Sequence, residues 1–247
     1  MKVAVVSITR HGIALAGKVV AALPGAQLFA PEKFAAEAEG AAPGAAHCYV
    51  GKVGDQVPAL FAAFDGIVAI VSLGAVVRLI APHLRGKDTD PAVVVIDEAG
   101  QFAIPVLSGH LGGANALAGH LATALGATPV LTTASDARQT LAVDLLGREL
   151  GWTFEATHGE LVRASAAVVN DEPVALVQEA GSRDWWTRHA NGRSVPLPAN
   201  LHCFTRLEDV DPDRFAAVLW ISTRALPADY AGRLAGKRII YRPGSSA

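Results

Sequence analysis

Short apolar runs rich in β-branched residues recur along the chain, and segments with helical spacing separate them. Residues 2–8, 66–71 and 92–96 form such runs, and a polar or glycine-containing loop follows each one. Unbroken runs of this length are typical of strands that are covered on both faces, as in parallel sheets. Because helices alternate with these strands, the pattern predicts a doubly wound, three-layer α/β subdomain of the flavodoxin-like kind with a parallel sheet.

The pattern changes after Asp136. Residues 141–150 have the spacing of an amphipathic helix, and three later apolar runs predict further strands. We therefore predict two subdomains. An N-terminal α/β subdomain covers residues 1–136, and a second, smaller α/β subdomain covers residues 137–247.

The composition argues against several classes of partner. With 21 basic and 23 acidic residues the formal net charge is −2, which gives no electrostatic case for nucleic acid. The longest apolar stretch, residues 66–77, is far shorter than the roughly 20 residues that cross a bilayer. Two isolated cysteines, Cys48 and Cys203, fit a reducing compartment. We therefore predict a cytoplasmic protein that binds neither nucleic acid nor a membrane.

The sequence carries no recognisable motif for a metal or a nucleotide. Its eight histidines form neither HxH nor HExxH spacing, and neither GxGxxG nor GxxxxGK[ST] occurs. We therefore expect no metal site and no nucleotide cofactor.

Loops with polar or glycine residues follow the predicted strands at residues 7–12, 72–78, 97–100 and 108–115. In doubly wound sheets, ligands bind outside the carboxyl ends of the strands. We expect these four loops to gather at one edge of the sheet and to form the functional site.

The loop at residues 108–115 reads SGHLGGAN and leads into a helical pattern at residues 117–125. Backbone N–H groups at a helix start have no partner within the helix and favour an anion. The alternative is a helix cap with a close strand-to-helix contact. The candidates for the anion site are Ser108, Gly109, Gly112 and Gly113, and Asn115 is a further candidate for contact with the ligand.

Four motifs in this part of the chain resemble those of cobalt-precorrin-5A hydrolases of the CbiG type, which belong to the oxygen-independent route to cobalamin. The resemblance is dense over residues 64–144. It implies hydrolytic opening of the δ-lactone of cobalt-precorrin-5A, with release of acetaldehyde and formation of cobalt-precorrin-5B. The cobalt then arrives with the substrate, and no separate cofactor is implied. The motifs are GAVVRLIAP at 74–82 with Lys87, DPAVVVID at 90–97, LSGHLGGAN at 107–115 and PVLTTASD at 129–136.

Full-length members of that family carry a further C-terminal α/β domain, and this chain ends at about the point where that domain would begin. The resemblance therefore implies either a hydrolase, or one half of a split hydrolase that needs a separate C-terminal-domain protein as its partner. A non-catalytic protein that binds or carries the tetrapyrrole is the alternative. The oligomeric state is left open, and a homo-oligomer is compatible with the sequence.

Lactone opening needs an activated water, a stabiliser of the oxyanion and an acid. His110 is the first candidate for proton transfer, because a histidine titrates near neutral pH; it could also simply bond a neighbouring loop. Asp97 and Glu98, at a predicted strand end, could orient His110 or activate water. They could equally form an ordinary turn.

Four further residues are candidates for contact with the substrate, which we expect to bind at the strand-end edge between the subdomains. Arg78 and Lys87 could pair with its carboxylates, although Arg78 could also be a solvent-facing charge. Thr132 and Thr133 follow a predicted strand. They could bind substrate or cap a helix that begins near Leu141.

Overall fold

The computed structural model describes residues 1–86, 89–187 and 196–244. The chain divides into two compact units, Met1–Leu131 and Thr132–Ala247. This division lies a few residues before the predicted boundary at Asp136. Within the described ranges, no helix is both long and apolar enough to cross a membrane.

The first unit is built on a sheet in which the described residues contribute seven strands, in the order β3-β2-β1-β4-β5-β6-β7. The strands are β1 (Val3–Ser7), β2 (Gln27–Pro31), β3 (Ala46–Tyr49), β4 (Gly66–Ile70), β5 (Ala92–Ile96), β6 (Phe102–Leu107) and β7 (Thr128–Pro129). The helices are α1 (Arg10–Ala22), α2 (Ala35–Ala41), α3 (Val57–Ala63), α4 (Leu73–Ile80) and α5 (Ala114–Leu125).

The sheet is covered on both faces, as the apolar runs predict. Val3 and Val5 of β1 pack into a core with α1, α2 and α5, whereas Ala4 and Val6 pack into a second core with α3 and α4. All five residues of β1 are buried. Successive side chains of a strand point to opposite faces, so an unbroken apolar run supplies both cores. The three-layer α/β prediction is confirmed.

The strands β2, β1, β4 and β5 lie side by side and parallel, in the order expected of a flavodoxin-like sheet. The strand β3 extends this order at the outer edge, where it pairs in parallel with β2. The apolar runs of the sequence do not predict this strand. Two of its four residues are exposed, which explains why no continuous apolar run marks it.

The strand β6 runs antiparallel to β5, with Ile96 opposite Ala103 and Val93 opposite Leu107. Only residues 97–101 join the two strands, whereas a parallel crossover needs about a dozen residues. The connection is a tight turn: the Asp97 carboxylate accepts hydrogen bonds from the N–H groups of Gln101 and Phe102, at 2.8 and 2.7 Å. The carboxyl end of β6 therefore lies at the edge where the parallel strands begin.

The second unit has its own sheet, in which the described strands follow the order β10-β9-β11-β12-β8. Strands β9 to β12 are mutually parallel and β8 is an antiparallel edge strand, which confirms a second, smaller α/β subdomain. Its strands are β8 (Thr153–Glu155), β9 (Val174–Gln178), β10 (Leu201–Phe204), β11 (Ala217–Ile221) and β12 (Arg238–Arg242), and its helices are α6 (Ala134–Ala137), α7 (His158–Val169) and α8 (Ala228–Arg233).

The prediction of an amphipathic helix over residues 141–150 is wrong. The segment forms two single 3₁₀ turns, Val143–Leu145 and Arg148–Leu150, separated by Gly147 in a left-handed conformation with φ of +73°. The Trp152 ring lies where a side chain at Gly147 would project, 2.1 Å from an ideal Cβ. Packing against this ring therefore overrides the helical spacing.

An ion-pair network at the carboxyl end of β9 stabilises the second unit. The Arg224 guanidinium donates to both oxygens of Glu179, at 2.8 and 2.5 Å, and to Glu208 at 2.8 Å. The Glu179 side chain is 13% exposed. Burial alone would raise the pKa of Glu179, but hydrogen bonds from Arg224 and from the Leu207 N–H outweigh burial and lower this pKa to about 2.

We predict that Glu179 stabilises the fold above its unfolded pKa near 4.5 and that this contribution is lost as the pH falls toward 2. Glu179→Gln should lower the free energy of unfolding by about 1–3 kcal/mol at pH 7, because it removes the charge of the largely buried carboxylate that Arg224 and the Leu207 N–H bind. The difference from the unmodified protein should shrink below pH 4.5. Urea unfolding at pH 7 and pH 3 measures this difference in the free energy of unfolding. Glu172→Gln, at an exposed position, is the control, and an equal loss at both pH values would contradict the assignment.

Candidate functional site

The loop predicted to carry the chemistry forms a tight turn between β6 and α5, here called the 108–115 turn. Ser108 has a left-handed backbone with φ of +55°, and its hydroxyl donates to the Asp90 carbonyl at 2.8 Å. Asp90 lies just before β5. The turn therefore lies at the edge where the parallel strands begin, which is the opposite edge from the predicted one.

Two glycines of the turn are required by its geometry. At Gly112 an ideal Cβ would lie 2.3 Å from the Ser108 Cβ and 2.7 Å from its carbonyl oxygen, so no side chain fits there. Gly113 precedes α5 with φ of +89°, in the left-handed region that glycine adopts without strain. These two positions fit the close-contact interpretation of the motif.

The N–H groups at the start of α5 donate within the turn. Gly113 donates to the His110 carbonyl at 2.9 Å, Ala114 to the Ser108 carbonyl at 3.1 Å, and Asn115 to the Gly109 carbonyl at 2.9 Å. The expectation that the Gly113 N–H group is available to an anion is therefore wrong. The helix is capped by its own preceding turn, which is the alternative that the sequence left open.

His110 and Asn115 are held differently by this turn. His110 is partly buried, and its backbone carbonyl closes the turn by accepting from Gly113. Asn115 is 7% exposed, and its Oδ1 lies 2.8 Å from the point where a Cβ of Gly109 would stand. Asn115 therefore packs directly against the turn backbone.

Asp97 and Glu98 lie at the other edge of the sheet. Asp97 holds the β5–β6 connection, and the exposed Glu98 accepts a hydrogen bond from the Thr9 hydroxyl, which itself caps α1 by accepting from the Gly12 N–H at 3.0 Å. The six residues of β6 separate these carboxylates from Ser108 by about 20 Å at a rise of ~3.3 Å per residue. The expectation that Asp97 or Glu98 orients His110 is therefore wrong.

Of the remaining candidates, the structure describes Arg78, Thr132 and Thr133. Arg78 is exposed on α4 and donates to the Gly74 carbonyl of its own helix at 2.9 Å. Lys87 lies outside the described residues. Thr132 is exposed, and Thr133 precedes the short helix α6 and donates to the Asp136 carboxylate. Both threonines belong to the second unit. The helix that follows them begins at Ala134, not near Leu141.

A cleft that the sequence does not predict opens at the carboxyl edge of β1, β2 and β3. Its volume is about 560 Å³. The sequence signal for it is weak, because β3, which contributes to its lining, has no continuous apolar run. Its lining includes Ile8, Glu32, Lys33, Tyr49, Val50, Lys52 and Val53.

No metal centre is evident in the parts of the chain that the structure describes. Within residues 1–86, 89–187 and 196–244, no three histidine, cysteine, aspartate or glutamate side chains come together in a way that could hold an ion.

Comparison with known proteins relates both units to one family. A family model described as cobalamin synthesis G N-terminal matches residues 55–136, and one described as cobalamin biosynthesis central region matches residues 141–243. Cobalt-precorrin-5A hydrolase of Priestia megaterium is 40% identical over 240 residues, which cover 97% of this chain and 62% of that protein. The enzyme of the same name from Salmonella typhimurium is 36% identical over 184 residues, which cover 74% of this chain and 48% of that protein.

The chain thus spans 62% of the length of the Priestia megaterium relative and 48% of the length of the Salmonella typhimurium relative. Among solved structures, a cobalamin biosynthesis protein G homologue from Sulfolobus solfataricus aligns with 98% of this chain and 60% of its own, with a TM-score of 0.49 and 20% identity. The assignment to a family rests on the sequence matches alone. Two consecutive family models and 40% identity over nearly the whole chain show that it belongs to the CbiG family of cobalamin biosynthesis.

Proposed function

We propose that this chain acts in the hydrolytic opening of the δ-lactone of cobalt-precorrin-5A, which releases acetaldehyde and yields cobalt-precorrin-5B. The single observation that carries the proposal is its 40% identity to the cobalt-precorrin-5A hydrolase of Priestia megaterium over 97% of the chain. The cobalt belongs to the substrate, so this function asks for no further cofactor.

Within this function, His110 is the proposed proton-transfer group. Water must lose a proton as it attacks the lactone carbonyl, and the departing oxygen must gain one. The 108–115 turn supports this role, because the Ser108–Asp90 hydrogen bond and the contact of Gly112 with Ser108 hold its backbone in one conformation. A fixed backbone limits the positions that the imidazole can take, which lowers the cost of reaching a productive geometry.

The proposed roles of the other predicted residues follow from their surroundings. Gly109 and Gly112 remain proposed contacts for a carboxylate arm, together with the Ser108 hydroxyl oxygen, which can still accept a hydrogen bond. Arg78 and Lys87 remain proposed partners of substrate carboxylates, and Thr132 and Thr133 proposed contacts from the second unit. Asn115 is a proposed positioning residue, because it packs on the turn that carries His110.

The test is an anaerobic incubation with cobalt-precorrin-5A in which acetaldehyde and the product mass are measured. Because the chain covers 62% of the Priestia megaterium relative, the assay is run with and without a polypeptide that carries the remaining part of that relative. Release by the chain alone assigns the whole reaction to it. Release only with the added polypeptide makes it one component of the enzyme, and substrate binding without release in either case favours a carrier.

His110→Asn is the decisive variant in the same assay. We expect a loss of about 10²–10⁴-fold in the rate of acetaldehyde release with little change in substrate binding, because proton transfer contributes to the transition state. His158→Gln, at an exposed position at the start of α7, is the control and should keep the full rate. Undiminished release by His110→Asn would rule out the assignment.

A glycine pair tests whether the geometry of the turn matters to the function. Gly112→Ala places a methyl group 2.3 Å from the Ser108 Cβ, so it should lower the free energy of unfolding by about 1–3 kcal/mol and reduce turnover. Gly119→Ala, in the interior of α5 with open space around it, should instead raise this free energy by about 0.5–1 kcal/mol. Thermal unfolding and acetaldehyde release measure both, and a Gly112→Ala protein of unchanged stability would contradict the described turn.

A further inference from the structure

A buried carboxylate fixes the chain just before β5, at the edge where the parallel strands begin. Asp90 comes two residues before this strand and is 8% exposed. Its carboxylate accepts hydrogen bonds from the Arg85 N–H, at 3.0 and 3.1 Å to its two oxygens, and from the Gly86 N–H at 3.1 Å. Asp90 therefore holds the backbone of Arg85 and Gly86 beside the start of β5.

The backbone of Asp90 connects this loop to the 108–115 turn. Its N–H donates to the Gly86 carbonyl at 2.9 Å, and the Thr89 N–H donates to the same carbonyl at 3.0 Å. The Asp90 carbonyl accepts the Ser108 hydroxyl at 2.8 Å. One residue therefore bonds the chain before β5 through its side chain and N–H, and the turn after β6 through its carbonyl.

The conformation of Ser108 needs such an anchor. Its φ of +55° lies in the left-handed region, which residues other than glycine seldom adopt. A conformation of this kind persists only where the surrounding structure holds it. The Asp90 carbonyl binds the Ser108 hydroxyl, and the backbone at Gly112 packs so closely on Ser108 that an added Cβ would lie 2.3 Å from the Ser108 Cβ. Without the bond to Asp90, Ser108 could relax, and His110 would move with it.

We propose that Asp90 is a positioning residue for His110 and that it acts through Ser108. The inference rests on the proposed function, because it gives Asp90 a part in the proton transfer assigned to His110. The Asp90 carboxylate fixes the position of its own carbonyl by holding the neighbouring backbone, and that carbonyl fixes Ser108. A turn held in this way limits the positions of the imidazole before the substrate arrives. This role requires no contact between Asp90 and the substrate.

Asp65 is a matched residue that has a structural role at the same edge. It lies just before β4, and its carboxylate accepts the Lys2 N–H at 2.7 Å. Its carbonyl accepts the Ala92 N–H at 2.9 Å, whereas the Asp90 carbonyl accepts the Ser108 hydroxyl. Asp65→Asn therefore controls for the loss of a carboxylate that binds backbone N–H groups without anchoring the 108–115 turn.

Amide hydrogen exchange in the full chain measures the anchoring without turnover. The N–H groups of Gly113, Ala114 and Asn115 donate within the turn, so they exchange slowly while it is closed. Asp90→Asn should speed their exchange by about 10-fold relative to the amides of β1, because an amide offers one acceptor oxygen where a carboxylate offers two. Ser108→Ala should speed it to a similar extent.

The double variant and the control decide whether Asp90 acts through Ser108. If it does, Asp90→Asn combined with Ser108→Ala should speed exchange no more than either change alone, since both break one connection. Asp65→Asn should leave the exchange of the turn unchanged. Additive effects, or a turn that exchanges normally in Asp90→Asn, would overturn the connection. An equal rise in the β1 amides would show a general loss of stability and would overturn it too.

Acetaldehyde release then separates positioning from stability. Asp90→Asn should lower kcat by about 10-fold with KM nearly unchanged, because Asp90 sets the geometry of proton transfer and does not bind the substrate. Asp65→Asn should keep both constants. An undiminished kcat despite faster exchange of the turn would overturn the positioning role. If the unmodified protein releases no acetaldehyde, alone or with the added polypeptide, the proposed function fails and the positioning role with it, whereas hydrogen exchange still decides whether Asp90 anchors the turn.

Discussion

The antiparallel pairing of β5 with β6 is the constraint on which the placement of the candidate residues depends. Residues 97–101 are too few for a crossover, so the chain must reverse, and the Asp97 carboxylate fixes the reversal by accepting two backbone N–H groups. The reversal carries the SGHLGGAN segment to the edge where the parallel strands begin. It also leaves Asp97 and Glu98 behind, at the opposite edge with the capped start of α1.

Much of the fold follows from periodicity, and the exceptions have physical causes. Unbroken apolar runs identify β1, β4 and β5 because both faces of these strands are buried. The edge strand β3 has no such run, since two of its four residues are exposed. The segment at 141–150 has helical spacing, yet Gly147 and the Trp152 ring require a left-handed turn there. Contacts made in the folded chain decide that segment, and local spacing does not reveal them.

The candidate site was predictable in its motif and unpredictable in its surroundings. The glycines of SGHLGG mark a special backbone, and the structure gives the reason, a turn so tight that no side chain fits at Gly112. The sequence could not show that the N–H groups of Gly113, Ala114 and Asn115 are used within that turn. Nor could it show the cleft beside Tyr49, because its lining comes from the ends of three strands, one of them unpredicted. In the sequence, only the short connection between β5 and β6 indicates that Asp97 and the 108–115 turn lie at opposite edges of the sheet.

The most direct test of this account measures the distance across β6. Spin labels are placed at Ala99→Cys and His110→Cys in a background in which the exposed cysteines Cys48 and Cys203 are replaced by serine. Double electron–electron resonance should give a separation of about 20 Å or more, because six residues of extended strand lie between the two edges. A distance of about 10 Å, seen as strong dipolar broadening, would place the Asp97–Gln101 turn and the 108–115 turn at one edge of the sheet and would contradict the antiparallel pairing of β5 with β6.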